Sequence, residues 1–250
     1  MKKILILLFV FLLGTAFAFA DVVTFKVAYF VPRAKSDLWE IEFENMDFTK
    51  SRFHSTSLSF SYEYFVNRQI SFLIGIDTYS RKKVGTYIDF VGLSFDEGDF
   101  AFDRDFGFQG DFAISHVFDV SITPIQVSVK LAPMGRRNRF IPYIGGGAGI
   151  YLWNVRLQGD LIDFDDIWEY EDPEYIYEIY GIYGAGIRDE NKITFGFHAF
   201  GGFMYPVRRQ MSIDAEFKYN VATGNLEQFL DFEPFDLSGY QISIGLSYWF

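Results

Sequence analysis

The chain has 250 residues, with 31 Phe, 16 Tyr, no Cys and a formal net charge of -11, yet its mean hydropathy is only +0.08. Without Cys there is no disulfide scaffold and no thiolate metal site; three His argue against a His-rich metal site, and the acidic balance argues against nucleic acid as a partner. A disordered chain would not carry so many aromatics, so the question is where the rings go.

The N-terminus reads as a secretory signal. Lys2 and Lys3 precede an apolar run over 4–13, and Ala18, Phe19 and Ala20 form an A-x-A cleavage box. Cleavage after Ala20 leaves one barrel-sized domain, 21–250, with net charge -13. No lipobox Cys is present. No second apolar run reaches the roughly 20 residues of a spanning helix, so a membrane-crossing chain has to be a closed barrel.

Period-2 alternation then recurs along the chain, as strands require. In 22–31, Val23, Phe25, Val27 and Tyr29 alternate with Thr24, Lys26, Ala28 and Phe30. In 54–65, Leu58, Phe60, Tyr62 and Tyr64 alternate with Ser57, Ser59, Ser61 and Glu63; 69–79 continues with Ile70, Phe72, Ile74 and Ile76 on one face. In 119–132 the apolar parity changes between Ile122 and Ile125, and Pro124 predicts a bulge that flips the phase. Segment 140–158 reads as a strand whose Gly145, Gly146 and Gly147 allow bending or close packing. Strands over 193–205, 211–222 and 239–250 follow, giving eight. Segment 175–187 also alternates in part; paired with 84–95 it would give a ten-stranded alternative.

A soluble sandwich also alternates. Here large aromatics sit near strand ends on the apolar face and charges sit mid-strand on the polar face, which suits an antiparallel, up-and-down transmembrane β-barrel. Lys26, Glu63, Asp77, Lys130, Asp214, Glu216 and Lys218 fall on the polar face, and the expectation is a paired ionic plug in a narrow interior. Connections alternate in length. Short turns carry Arg68, Arg136, Arg137, Arg139, Arg208 and Arg209 and no acid, whereas the long loops 32–53, 80–118, 159–192 and 223–238 carry 27 acids and 11 bases. Arginines at the short-turn rim could pair with anionic lipid heads.

Chemistry is sparse. His54 lies beside Ser55 and Ser57, and His116 follows Ser115, but neither spacing makes a recognised acyl-transfer motif, so no catalytic residue is assigned. His198 shares the interior parity of Thr194 and Gly196. The acids from Asp160 through Glu178 lack the ordered spacing of a calcium loop, so no metal and no cofactor is expected. Arg81, Lys82 and Lys83 form a basic cluster on the long-loop side that could hold a lipopolysaccharide phosphate.

The last residues, Ser243, Ile244, Gly245, Leu246, Ser247, Tyr248, Trp249 and Phe250, resemble the C-terminal assembly signal of outer-membrane barrels, with Ser243, Gly245, Tyr248 and Phe250 at its specified positions. Together with the Gly-rich 142–147 and Gly201, Gly202 and Phe203, the layout resembles small eight-stranded barrels of the OmpW, OmpA and OmpX type. The resemblance implies handling by the barrel-assembly machinery, outer-membrane lipids and lipopolysaccharide as surroundings, and a Gram-negative-type outer membrane as location. It leaves three functions open: a structural or surface-interaction barrel, a channel for small hydrophobic solutes, and a lipid A-modifying enzyme.

Overall fold

The computed structural model describes residues 22–136, 138–228 and 233–250; the signal-peptide reading of 1–20 and the turn residue Arg137 lie outside the described residues. Eleven strands form: β1 Val22–Pro32, β2 Ser55–Phe65, β3 Ile70–Thr86, β4 Phe90–Phe95, β5 Gly98–Asp103, β6 Ser115–Leu131, β7 Ile141–Glu171, β8 Ile176–Arg208, β9 Met211–Asn225, β10 Pro234–Asp236 and β11 Gly239–Trp249. A helix, α1 Asp37–Asn45, follows β1.

Eight of these strands close a ring in the order β1-β2-β3-β6-β7-β8-β9-β11, all pairings antiparallel. The closing pair runs from Val22 opposite Trp249 to Pro32 opposite Gly239. Closure leaves no free edge in the ring, which is what a spanning sheet needs in lipid. The ten-stranded alternative is not adopted. Segment 175–187 belongs to β8, which runs on to Arg208, and it pairs with the upper half of β7 rather than with 84–95. The β4–β5 hairpin docks on β8 outside the ring, through Phe100 opposite Gly181 and Ala101 opposite Tyr180.

The expected long loops are therefore largely strand. β7 has 31 residues and β8 has 33, whereas a tilted strand crosses the hydrocarbon in about 9–11. The surplus stands beyond the apolar belt and continues the barrel wall outward.

β6 shows how. Its registers with β3 and β7 run without a shift past Pro124, and buried and less buried residues alternate without interruption from Ser115 to Leu131. There is no phase-flipping bulge. Ile125, Val127, Val129 and Leu131 face outward and exposed, while Phe118, Val120 and Ile122 face inward and buried. What changes at Pro124 is the environment on each side of the wall. Below it the outside is apolar and the inside polar; above it the inside is apolar and the outside polar. β1 repeats this, with inward Thr24 and Lys26 giving way to Ala28 and Phe30, and so does β9, where inward Asn220 is followed by Ala222.

Below the change, the exposed face carries an unbroken apolar belt that includes Phe25, Val27, Phe72, Ile74, Phe195, Phe197, Ile242 and Ile244. Phe195 is 77 % exposed and Phe197 68 %. A surface of this extent is not tolerated in water and marks a membrane-facing band. Tyr29 and Tyr240 lie at its upper side and Tyr64, Tyr205 and Tyr248 at its lower side. Among the described residues no helix is long and apolar enough to cross a membrane.

Candidate functional site: the barrel interior and the outer module

The interior is layered. The ionic layer occupies the membrane-level lumen, and each of its members sits on an inward position of a ring strand. Lys26 on β1 reaches Asp214 at 2.9 Å and Glu216 at 2.7 Å on β9. Lys130 on β6 pairs with Glu63 on β2 at 2.9 Å. Lys218 pairs with Asp77 at 2.8 Å, and its ammonium also donates to the Gln126 side-chain oxygen at 3.2 Å. All seven expected ions are thus brought into four contacts that form three groups in the lumen. Neutral partners add further hydrogen bonds. Ser59 donates to Asp77 and Ser71 to Glu63, each at 2.5 Å. The Tyr143 hydroxyl lies 2.9 Å from Asp214, and Gln126 donates to Asn220 at 2.8 Å. Burying charge is costly unless every group is paired and hydrogen-bonded, and this layer supplies both.

Two glycine contacts explain how the ions fit. Gly245 lies opposite Lys26, and a Cβ there would strike the Phe25 carbonyl oxygen and come within 2.7 Å of the Lys26 Cγ. Gly147 lies so close to β6 that a Cβ would run into the Val127 carbonyl oxygen. Of the four assembly-signal positions, Ser243 faces the lumen, Gly245 makes room for Lys26, and Tyr248 and Phe250 face outward with their rings edge to face at 5.1 Å.

The lower mouth is capped. Arg136 does not reach toward lipid: it contacts Glu63 at 3.1 Å, donates to the Asn67 carbonyl at 2.8 Å and lies 3.9 Å from the Phe65 ring centre. The upper mouth is filled by the segment between β1 and β2, which was expected to be an acidic loop. α1 turns Trp39 into the extended barrel, where it meets Phe53 at 5.0 Å, Phe118 at 4.9 Å and Phe235 at 5.4 Å. Met46, Phe48 and Trp153 complete a buried aromatic core. A buried polar pair, His116 Nε2 to Glu42 at 2.9 Å, lies against it. Burial pushes the adjoining Tyr87 phenol up to about 12. The core is tied to β1 by Asp236, which accepts from Arg33 at 2.8 Å and from the Lys35 backbone at 3.1 Å. Burial pushes the Asp236 carboxyl up, but hydrogen bonds from Arg33 and Ser238 outweigh it and leave the group below its ordinary value.

Two small cavities lie among the ring-lining residues. One, about 30 Å³, touches Lys26, Ser59, Gln126 and Lys218; the other, about 10 Å³, lies higher against Phe30, Pro124 and Tyr151. The first has room for an ordered water or two, and neither for a solute.

The histidines do not form a hydrolytic constellation. Ser128 Oγ is 2.7 Å from His198 Nε2 in the lumen, but His198 Nδ1 is buried without a hydrogen-bond partner, so no acid orients the ring. His116 is engaged by Glu42 rather than by Ser115. His54 stands edge-on to Tyr29 at 5.9 Å. Among the described residues no three His, Asp or Glu side chains converge as a metal site.

The basic cluster is divided by the strand it lies on. Lys82 points outward and exposed, whereas Arg81 donates to the Arg52 carbonyl at 2.8 Å and Lys83 falls on the opposite parity from Lys82. Pairing places Lys82, Asp119, Arg156 and Arg188 in one row across β3, β6, β7 and β8. Arg156, with its side chain 50 % exposed, pairs with Glu190 at 2.7 Å, and Arg188, 65 % exposed, lies 3.9 Å from the same carboxylate. Sequence reading missed this row because its members are far apart in the chain; only the register joins them.

No family model matches the chain, and no curated protein matches it. Solved structures do. Neisserial surface protein A aligns with a TM-score of 0.51 at 14 % identity, over 92 % of this chain and 98 % of that one. OprG of Pseudomonas aeruginosa gives 0.49 at 12 %, over 92 % and 96 %. The outer membrane protein W of E. coli gives 0.43 at 12 %, over 92 % and 98 %. At these identities what is shared is the fold, and the chain has the architecture of a small outer-membrane β-barrel.

Proposed function

We propose that the chain is an outer-membrane barrel closed to solutes, carrying a folded module above the membrane for contact with molecules at the cell surface. The observation behind this reading is the filled lumen: four ion contacts in three groups, an arginine cap below and an aromatic core above. A hydrophobic-solute channel needs an apolar path, and the lumen at membrane level is polar. A lipid A enzyme needs a reachable nucleophile, and Ser128 and His198 are buried. The chain is exported through its cleaved N-terminal segment and inserted into a Gram-negative-type outer membrane by the barrel-assembly machinery. Planar-bilayer recording tests the closed state: no steady conductance is expected, and a large steady conductance would overturn it.

The outward row favours one surrounding partner. Lys82, Arg156 and Arg188 stand just above the apolar belt, where lipid headgroup phosphates lie, and such cations attract them electrostatically. Native mass spectrometry should show fewer retained phosphorylated lipids when Lys82, Arg156 and Arg188 are changed together to Gln.

A further inference from the structure

The β4–β5 hairpin and the upper ends of β7 and β8 leave two clefts between them. The larger, about 550 Å³, is lined by Phe90, Phe106, Tyr177 and Tyr180 together with Asp103 and Glu178. The smaller, about 240 Å³, is lined by Phe95, Phe100, Trp168 and Tyr170 together with Glu97 and Glu169. Ring contacts support both walls, Phe106 to Tyr177 at 5.1 Å in one and Phe100 to Trp168 at 5.4 Å in the other. The two clefts differ in residues and agree in chemistry: aromatic rings, isoleucine and two carboxylates, with no basic side chain among the lining residues. Among the described residues no Lys, Arg or His forms an ion pair with any of the four carboxylates. Arg104, next to Asp103, donates instead to the Phe90 carbonyl at 3.1 Å.

We propose that these clefts bind small organic cations, with an alkylammonium or guanidinium group seated on the rings and paired with the carboxylates. Ring faces attract cations through their quadrupole, and the attraction grows as water is excluded. The larger cleft falls within the volume range of small-molecule sites. A neutral apolar ligand would desolvate two carboxylates without compensation. An anion would be repelled, and a hard divalent ion would lack oxygen ligands, since two carboxylates per cleft are too few for its usual shell. The proposal does not depend on whether the lumen conducts.

The test is titration calorimetry on the full chain in a non-ionic detergent, because a choline headgroup would compete for the site. Phenethylammonium is compared with 2-phenylethanol, which has the same ring and a neutral end. The cation is expected to bind at least about fivefold more tightly than the alcohol. Asp103→Asn with Glu178→Gln should weaken cation binding about fivefold at the larger cleft and leave the alcohol unchanged; Glu97→Gln with Glu169→Gln should do the same at the smaller one. These side chains are exposed or half-buried, and unchanged circular dichroism verifies that the variants fold. Equal binding of cation and alcohol, no binding of the cation, or variants with unaltered affinity would each overturn the proposal.

Discussion

At the residue scale, the lumen depends on complete pairing. Lys26 alone answers two carboxylates, so Lys26→Met should cost about 3–5 kcal/mol, the usual penalty for removing one member of a buried pair. Urea unfolding in lipid vesicles measures it, and a loss below about 1 kcal/mol would show that Asp214 and Glu216 find other partners. Gly245→Ala tests the same contact from the backbone side, because the new methyl meets Lys26 and the Phe25 carbonyl. The seven ions were legible in the sequence because strand parity puts them on one face. Their partners were not: Asp77 meets Lys218 across 141 positions of chain, and parity carries no information about which inward residues face each other. Asp236 gives a pH signature. Its carboxyl is held below the ordinary value of 3.8, so its contribution is fully present above that pH and disappears as pH falls through the lower folded value. Protection of the Lys35 and Ser238 amides against hydrogen exchange, taken relative to the intrinsic rate at each pH, should be lost only on strong acidification, because their N–H groups bond this carboxylate; loss of protection near neutrality would contradict the assignment.

At the element scale, α1 was hidden. Its apolar residues Leu38, Trp39 and Phe43 are spaced among acids, and a 21–250 chain full of period-2 signals makes a nine-residue helix easy to read as loop. The helix is short and has no side-chain N-cap, so its order comes from packing rather than propensity. Trp39→Ala should remove about 3–5 kcal/mol from that packing. Limited proteolysis is then expected to cut between β1 and β2 while the membrane-level ring stays intact; resistance equal to wild type would mean the ring in the upper core is dispensable. Pro124 was misread for a related reason. A change of hydrophobic parity has two physical causes, a bulge in the strand or a change in what lies on each side, and sequence alone does not separate them.

At the scale of the whole molecule, the near-zero mean hydropathy of an aromatic-rich chain follows from two stacked environments. The rings of the lower half face lipid and those of the upper half face inward, while polar residues take the complementary sides. The acidic balance likewise belongs mostly to the outer module. Nitroxide accessibility along β6 tests this inversion most directly. Labels at 125, 127 and 129 should be accessible to oxygen and shielded from a water-soluble nickel complex, labels at 119, 121 and 123 should show the reverse, and labels at 118 and 120 should be shielded from both. Oxygen accessibility at 118 and 120, with 119 and 121 turned inward, would instead place a phase flip at Pro124 and contradict the continuous, inverted wall.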